Sequence, residues 1–147
     1  MPEESIDILL VDDNPHDVEL TLHAFRKHSL AKRIHVVRDG EEALNFIHCT
    51  GPYAKRNADE GPKLVLLDLK LPLVDGRYVL RQIRSNPGTR MIPVVILTSS
   101  REERDIFQCY QLGINSYIVK PVDYDRFMAA AATIAEYWLS LNQAPIS

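Results

Sequence analysis

Leu64-Val65-Leu66-Leu67-Asp68 is a run of four apolar residues that ends on a carboxylate. Its apolar character is continuous rather than alternating, as expected of a strand buried on both faces of a parallel sheet. Four further runs rich in Val, Ile and Leu recur along the chain: Ile6 to Val11, Arg33 to Val37, Pro93 to Thr98 and Ser116 to Val119. Helical patterns lie between them. The first spans about Asp17 to His28, with Val18, Leu22 and Phe25 on one stripe, and the second Asp39 to about His48, with Ala43, Leu44 and Ile47. A third starts near Gly76 and carries Val79, Leu80 and Ile83; a fourth covers Arg101 to Leu112; the last runs from about Asp123 to about Leu141. Five alternations of strand and helix predict a doubly wound α/β domain.

Gly113 sits where a helix stop is wanted, and Asn86-Pro87-Gly88 reads as a turn. Cys49 to Lys63 holds two glycines, two prolines and many charges. A loop this long inside a compact domain is expected to be functional or mobile, and its role is not readable from the residues. The last helix carries two apolar stripes, Phe127-Ala131-Ile134-Trp138-Leu141 and Tyr124-Met128-Ala132-Ala135-Leu139. A helix on one side of a sheet needs one stripe. The second reads either as plain Ala-rich helix-forming sequence or as a partner surface.

The chain has 147 residues, enough for one buried core, and its 46% hydrophobic and 25% charged content is that of a globular protein. A net charge of −3, with basic residues scattered in pairs such as Lys55-Arg56, argues against a nucleic-acid partner. Cys49 and Cys109 are far apart and lack metal-ligand spacing, which fits two free thiols in a reducing cytoplasm. The acidic start, Met-Pro-Glu-Glu-Ser, does not resemble a signal peptide, and no apolar run is long enough to span a bilayer. A cytoplasmic protein without membrane contact is expected.

Ligands of doubly wound sheets sit beyond the carboxyl ends of the strands, where the strand order reverses. The first apolar run ends in Asp12-Asp13, the third in Asp68, the fourth in Thr98 and the fifth in Lys120. Singly, each has a bland reading as a turn, cap or solvated residue. Together they bring three carboxylates, a hydroxyl and an amine to one sheet edge. Two like charges about 4 Å apart repel by roughly 4 kcal/mol at an effective dielectric near 20, so clustered carboxylates call for a cation. Mg²⁺ suits a few hard oxygen ligands and retained waters. Asp68 is then the candidate nucleophile for an acyl phosphate, with Mg²⁺ and Lys120 offsetting the charge of the transferred group.

At these residues the chain resembles the receiver domains of two-component response regulators over nearly its whole length. The segments that carry the resemblance are Ile8-Leu9-Leu10-Val11-Asp12-Asp13-Asn14, Leu66-Leu67-Asp68-Leu69-Lys70-Leu71-Pro72-Leu73-Val74-Asp75-Gly76, Ile96-Leu97-Thr98-Ser99 and Tyr117-Ile118-Val119-Lys120-Pro121. The resemblance implies a flavodoxin-like (βα)5 fold with a five-stranded parallel sheet in the order 2-1-3-4-5. A single receiver domain is expected over residues 6–141, with tails at 1–5 and 142–147. It implies Asp68 as phosphoacceptor and Asp12, Asp13, Asp68 and the Lys70 main-chain carbonyl as Mg²⁺ ligands. Lys120 and Thr98 would contact the phosphoryl group, Thr98 and Tyr117 would form the switch, and Lys120-Pro121 would be a cis peptide. Lys70 and Ser100 fall where the family tunes the lifetime of the phosphoryl group, and Leu71 replaces a common Met.

Such a protein is a signalling switch and not an enzyme acting on an external substrate. No output domain is expected after the last helix, so output must pass through protein contacts. A homodimer is expected through the fourth helix, fifth strand and fifth helix, with Phe107, Tyr110, Tyr124, Phe127 and Trp138 as candidate contacts; the downstream protein is not identified. The Asn14-Pro15 pair, the loop before the third strand, the Thr98-Ser99-Ser100-Arg101-Glu102 stretch and the long last helix resemble the small regulators paired with cyanobacterial-type phytochrome histidine kinases. That likeness implies a phosphohistidine donor on a light-sensing kinase. Two other readings stand beside this one. An Mg²⁺-dependent phosphohydrolase with an aspartyl nucleophile would resemble Asp-x-Asp at the first strand and a cap domain, neither of which is legible here. An inert receiver-like module would typically lack one of the five residues Asp12, Asp13, Asp68, Thr98 and Lys120, all of which are present.

Overall fold

Five parallel strands, β1 (Ile8–Val11), β2 (Ile34–Val37), β3 (Leu64–Leu67), β4 (Val94–Thr98) and β5 (Ser116–Val119), form one sheet in the order β2-β1-β3-β4-β5. This is the flavodoxin-like arrangement, seen in a computed structural model that describes residues 6–28 and 33–145. The expected tail at 1–5 and the last two residues of the tail at 142–147 lie outside the described residues. Five helices alternate with the strands: α1 (Pro15–Lys27), α2 (Gly40–His48), α3 (Gly76–Ser85), α4 (Glu103–Gln111) and α5 (Tyr124–Glu136).

Side chains alternate across the pleat and divide the core in two. Leu9, Val11, Val65, Leu67, Val94 and Ile96 pack beneath α2, α3 and α4, against Phe46, Leu80, Ile83 and Cys109. Ile8, Leu10, Leu64, Leu66, Val95 and Leu97 face α1 and α5, against Phe25, Phe127 and Ile134. The continuous apolar runs are therefore strands buried on both sides, as parallel sheets require. Burial pushes the Cys109 thiol up to about 11, which makes it a packing residue rather than a reactive one.

Helix starts are set by capping side chains. Asn14 accepts a hydrogen bond from the Asp17 amide at 3.1 Å, and Pro15 occupies the first turn. The helix therefore begins earlier than the Asp17 expected from the apolar stripe. Asp39, Asp75 and Asp123 cap α2, α3 and α5 in the same way. Gly76 opens α3 against the chain that carries Asp68. A Cβ there would meet the Asp68 carbonyl oxygen at 2.4 Å and the Leu69 Cα at 2.7 Å, so only glycine allows this approach.

Two expectations are corrected. The two stripes of the last helix are not separate faces. Phe127, Met128, Ala131, Ile134 and Ala135 are all buried on one broad face, and Trp138 and Leu139 pack against the same cluster. Adjacent stripes merge because α5 is covered by both the sheet and α1. Phe127, only 3% exposed, is therefore a core residue and leaves the set of candidate partner contacts. The helix also ends in a wide π turn at Tyr137–Leu141 instead of continuing regularly.

The long loop is anchored rather than loose. A short 3-10 turn at Gly51–Tyr53 places the Tyr53 hydroxyl to donate to Glu42 at 3.0 Å, with His35 Nε2 2.9 Å from the same oxygen. His35 stacks on Phe46 with ring centroids 4.5 Å apart, and Arg56 lies over the other side of that cluster with its guanidinium carbon 3.8 Å from the Phe46 centroid. Arg56 also donates to the Phe46 and Glu60 carbonyls. Burial holds the His35 pKa below its ordinary 6.5, with Glu42 opposing and Arg56 reinforcing the shift. The fold thus favours the neutral ring. Its contribution is present above pH 6.5 and is lost as pH falls through the depressed folded value. Melting temperature is expected to drop as pH is lowered from 7.5 to 5.5, and the His35→Phe variant, which keeps the stack, should show a shallower drop by circular dichroism.

Candidate functional site: the carboxyl edge of the sheet

Register decides which side chains meet. Val11 pairs with Leu67, so Asp12 and Asp68, the next residue of each strand, leave neighbouring strands at the same level. Thr98 ends β4, and Lys120 follows β5 opposite it. Asp12, Asp68, Thr98 and Lys120 are all buried, between 0% and 8% exposed. Lys120 Nζ donates to Asp68 Oδ2 at 2.7 Å, Asp12 Oδ2 at 2.9 Å and Asp17 Oδ2 at 2.8 Å. That uses all three donors of the ammonium. The other Asp68 oxygen accepts from the Thr98 hydroxyl at 2.7 Å and the Lys70 amide at 3.3 Å. Asp12 Oδ1 accepts from the Asn14 amide at 2.9 Å.

One ammonium serves three carboxylates, and the titration behaviour follows. Burial alone would lower the Lys120 pKa, but the hydrogen bonds it donates to Asp17, Asp68 and Asp12 outweigh this and raise it. For Asp12 burial wins: its pKa rises above 3.8 despite the help of the Asn14 amide and Lys120. Its carboxylate is under-compensated, which is the condition a bound cation relieves.

The expected site residues separate into groups. Asp12, Asp68, Thr98 and Lys120 converge. Asp13 is exposed beside them and takes no part in the Lys120 cluster. Lys70 points its side chain to solvent and contributes its amide. The Ser100 hydroxyl bonds Asp105 at 2.6 Å rather than facing Asp68, and Ser99 is exposed and small. Tyr117 is half-buried, its hydroxyl donating to the Ser100 carbonyl at 2.9 Å. Thr98 thus already faces Asp68 with Tyr117 tied to the β4–α4 loop. The expected cis bond is corrected: no peptide bond among the described residues is cis, so Lys120-Pro121 is trans. Trans is the lower-energy form of such a bond by about 0.5–1 kcal/mol, and the ammonium reaches all three carboxylates from it.

Two features escaped the sequence reading. Asp17 joins the Lys120 cluster, although an acid in a first helical turn is ordinarily explained by the helix dipole alone. Arg77 ties α3 to α4, donating to Asp75, Asp105 and Gln108. Its one signal was its place just after the Asp75 cap.

The metal question turns on the donors. Among the described residues no three His, Cys, Asp or Glu side chains already surround an ion position. The carboxylates of Asp12, Asp13 and Asp68 are nonetheless hard oxygen donors at one edge, with Asp12 and Asp68 meeting at a single ammonium, and such donors suit a hard divalent cation. The donor set fits.

A buried aspartate at the end of β3, held by the lysine after β5 and the hydroxyl ending β4 of a 2-1-3-4-5 sheet, is the arrangement that the resemblance to two-component receiver domains implies. The chain belongs to the response regulator receiver domain family, whose profile it matches over residues 8–132. Its structure is similar to that of the phosphorylated cyanobacterial phytochrome response regulator RcpA, with a TM-score of 0.89, 38% identity, and coverage of 98% of this chain and 100% of that one. The Mn²⁺-bound form of response regulator Rcp1 of Synechocystis superposes with a TM-score of 0.89 at 34% identity, over 96% and 99% of the two chains. The bacteriophytochrome response regulator AtBRR is 46% identical over 99% of each chain, with a TM-score of 0.75.

Lys120 carries the electrostatics of this edge, and its loss is the sharpest structural test. Its raised pKa means that its contribution is fully present below 10.5 and fades only as pH rises through the folded value. Lys120→Ala is therefore expected to destabilise the protein by about 3–5 kcal/mol at pH 7, because it strands buried carboxylates. Urea unfolding measures this, and the deficit should shrink at acid pH as those carboxylates protonate.

Proposed function

We propose that this chain is a single receiver domain over residues 6–141 that takes a phosphoryl group from a sensor histidine kinase onto Asp68. The observation that carries the proposal is the buried Asp68 carboxylate, with Lys120 on one oxygen and Thr98 on the other. An Asp68 oxygen forms the new O–P bond as the donor's N–P bond to histidine breaks. Lys120 offsets charge on the transferred group, and Thr98 donates to one of its oxygens. Asp12, Asp13, Asp68 and the Lys70 carbonyl would hold Mg²⁺, which supplies further charge neutralisation when bound. The protein acts as a signalling receiver and not as an enzyme on an external substrate. Incubation with Mg²⁺ and acetyl phosphate is expected to add one phosphoryl mass, which Asp68→Asn abolishes; an unchanged wild-type mass rejects the proposal.

The donor we infer is a phytochrome histidine kinase, because relatives named as phytochrome regulators align with nearly the whole chain. The setting is cytoplasmic; among the described residues no helix is long and apolar enough to cross a membrane. Output runs through α4, β5 and α5. Phosphorylation places roughly −1.5 to −2 charge beside Thr98. Thr98 precedes the loop whose Ser100 carbonyl holds Tyr117, so the charge biases the Tyr117 position. Phe107, Tyr110 and Tyr124 are exposed at 63%, 53% and 52%, and Trp138 is half-buried near the end of the last helix. We take these aromatic side chains as contacts of a symmetric homodimer and of a further protein target. Light scattering before and after phosphorylation is expected to show a dimer in at least one state; a monomer in both rejects it.

A further inference from the structure

Lys120 is held by three carboxylates, and only two of them belong to the reacting centre. The third, Asp17, lies in the first turn of α1. Its amide donates to Asn14 Oδ1 at 3.1 Å and its carbonyl accepts from the Thr21 hydroxyl at 2.8 Å, so its backbone is fixed from both sides. Its carboxylate, 18% exposed, reaches inward to Lys120 Nζ at 2.8 Å.

The other two acceptors are claimed by the chemistry. When Asp68 becomes an acyl phosphate it ceases to be a carboxylate, and the N–H now on its Oδ2 must turn to a phosphoryl oxygen. A divalent cation at this edge draws on the oxygens of Asp12. Asp17 has neither duty. Lysine is also a flexible four-carbon stem with a strongly hydrated head. A cleft lined by Asn14, Asp17, Ser99, Lys120, Pro121 and Val122 opens beside it, so an unanchored ammonium has solvent to turn to.

We propose that Asp17 is a positioning residue that keeps the Lys120 ammonium at the reaction centre while Asp68 passes from carboxylate to acyl phosphate. The proposal rests on the reading of Asp68 as phosphoacceptor. Asp17 touches no reacting atom. It acts through Lys120, so its effect must vanish when Lys120 is absent.

The test uses the full chain, with Asp17→Ala, Asp17→Asn, Lys120→Ala and the Asp17→Ala/Lys120→Ala double variant. In ¹⁵N-labelled wild-type protein the Lys120 ammonium protons, each in a hydrogen bond, are expected to give a signal protected from water exchange. Asp17→Ala should lose that signal and Asp17→Asn, which keeps an acceptor of the same shape, should retain it. With acetyl phosphate and Mg²⁺, Asp17→Ala should take up the phosphoryl group roughly tenfold more slowly, equivalent to about 1.4 kcal/mol. Asp17→Asn should recover most of the rate, and Asp17→Ala should cause no further loss in the Lys120→Ala background. A wild-type rate or an intact Lys120 signal in Asp17→Ala overturns the proposal, as does equal slowing with and without Lys120. If the wild-type protein takes up no phosphoryl group, the Asp68 reading fails and this proposal with it; wild-type uptake beside an unaffected Asp17→Ala removes this proposal alone.

Discussion

A single buried ammonium shared by carboxylates from β1, β3 and α1 is the interaction on which this structure turns. Lys120 lies far along the chain from Asp12 and Asp17, so its contacts exist only if the sheet is assembled in the right order. The β1–β3 pairing is the point where strand order reverses, and its register puts the two strand-end aspartates side by side. A slip of one residue would send Asp12 or Asp68 to the opposite face of the sheet. The double-sided apolar burial of β1, β3 and β4 forbids that slip, because every strand residue would change layer at once. Core packing thus sets the geometry of the charges.

From this centre a continuous polar chain leads outward. Thr98 bonds Asp68; two residues on, Ser100 offers its carbonyl to Tyr117 and its hydroxyl to Asp105; Asp105 in turn receives Arg77 from α3. The half-exposed end of this chain, at Arg77 and Asp75, is worth little as an isolated ion pair. Its importance is geometric, since it couples the start of α4 to α3 and to the loop that follows Thr98. Thr98 and Tyr117 both lie on this chain of contacts. Under the proposed phosphorylation of Asp68, the added group would bias the arrangements these contacts can adopt. A complete reversal from 1:99 to 99:1 would take about 5.5 kcal/mol of differential interaction. A dianionic group facing a threonine hydroxyl and a lysine can contribute toward that.

Much of this was legible in the residues because the signals are local. Continuous Val, Ile and Leu runs mark buried parallel strands, and Asp12, Asp68, Thr98 and Lys120 each end or follow such a run. The strands appear within two residues of their expected limits. What escaped depends on where side chains point once the layers close. Asp17 carries a good local explanation as a first-turn acid, and nothing local announces that it faces Lys120. The stripes of the last helix looked like two faces because sequence periodicity does not say that α1 also covers α5. The role of the Cys49 to Lys63 loop was not readable because its anchors, His35, Glu42 and Phe46, belong to β2 and α2 rather than to the loop.

Acidic side chains outnumber the one lysine at the carboxyl edge of the sheet. Asp12, Asp17 and Asp68 share one ammonium, and Asp13 stands beside them in solvent. A fold selected for stability alone would have no reason to collect these acids, since removing buried charges in favour of apolar groups often costs nothing. The Asp12 pKa is raised mainly by burial, with the neighbouring Asp68 charge adding to it and Lys120 opposing it. The same excess that draws a hard cation also opposes an incoming phosphoryl anion. Lys120 alone cannot satisfy both demands, because its three protons are already committed to carboxylates. The edge therefore folds around one lysine whose three protons are all committed to carboxylates. Any charge brought to it, cation or phosphoryl, would have to redistribute the hydrogen bonds that converge on Lys120 and Thr98.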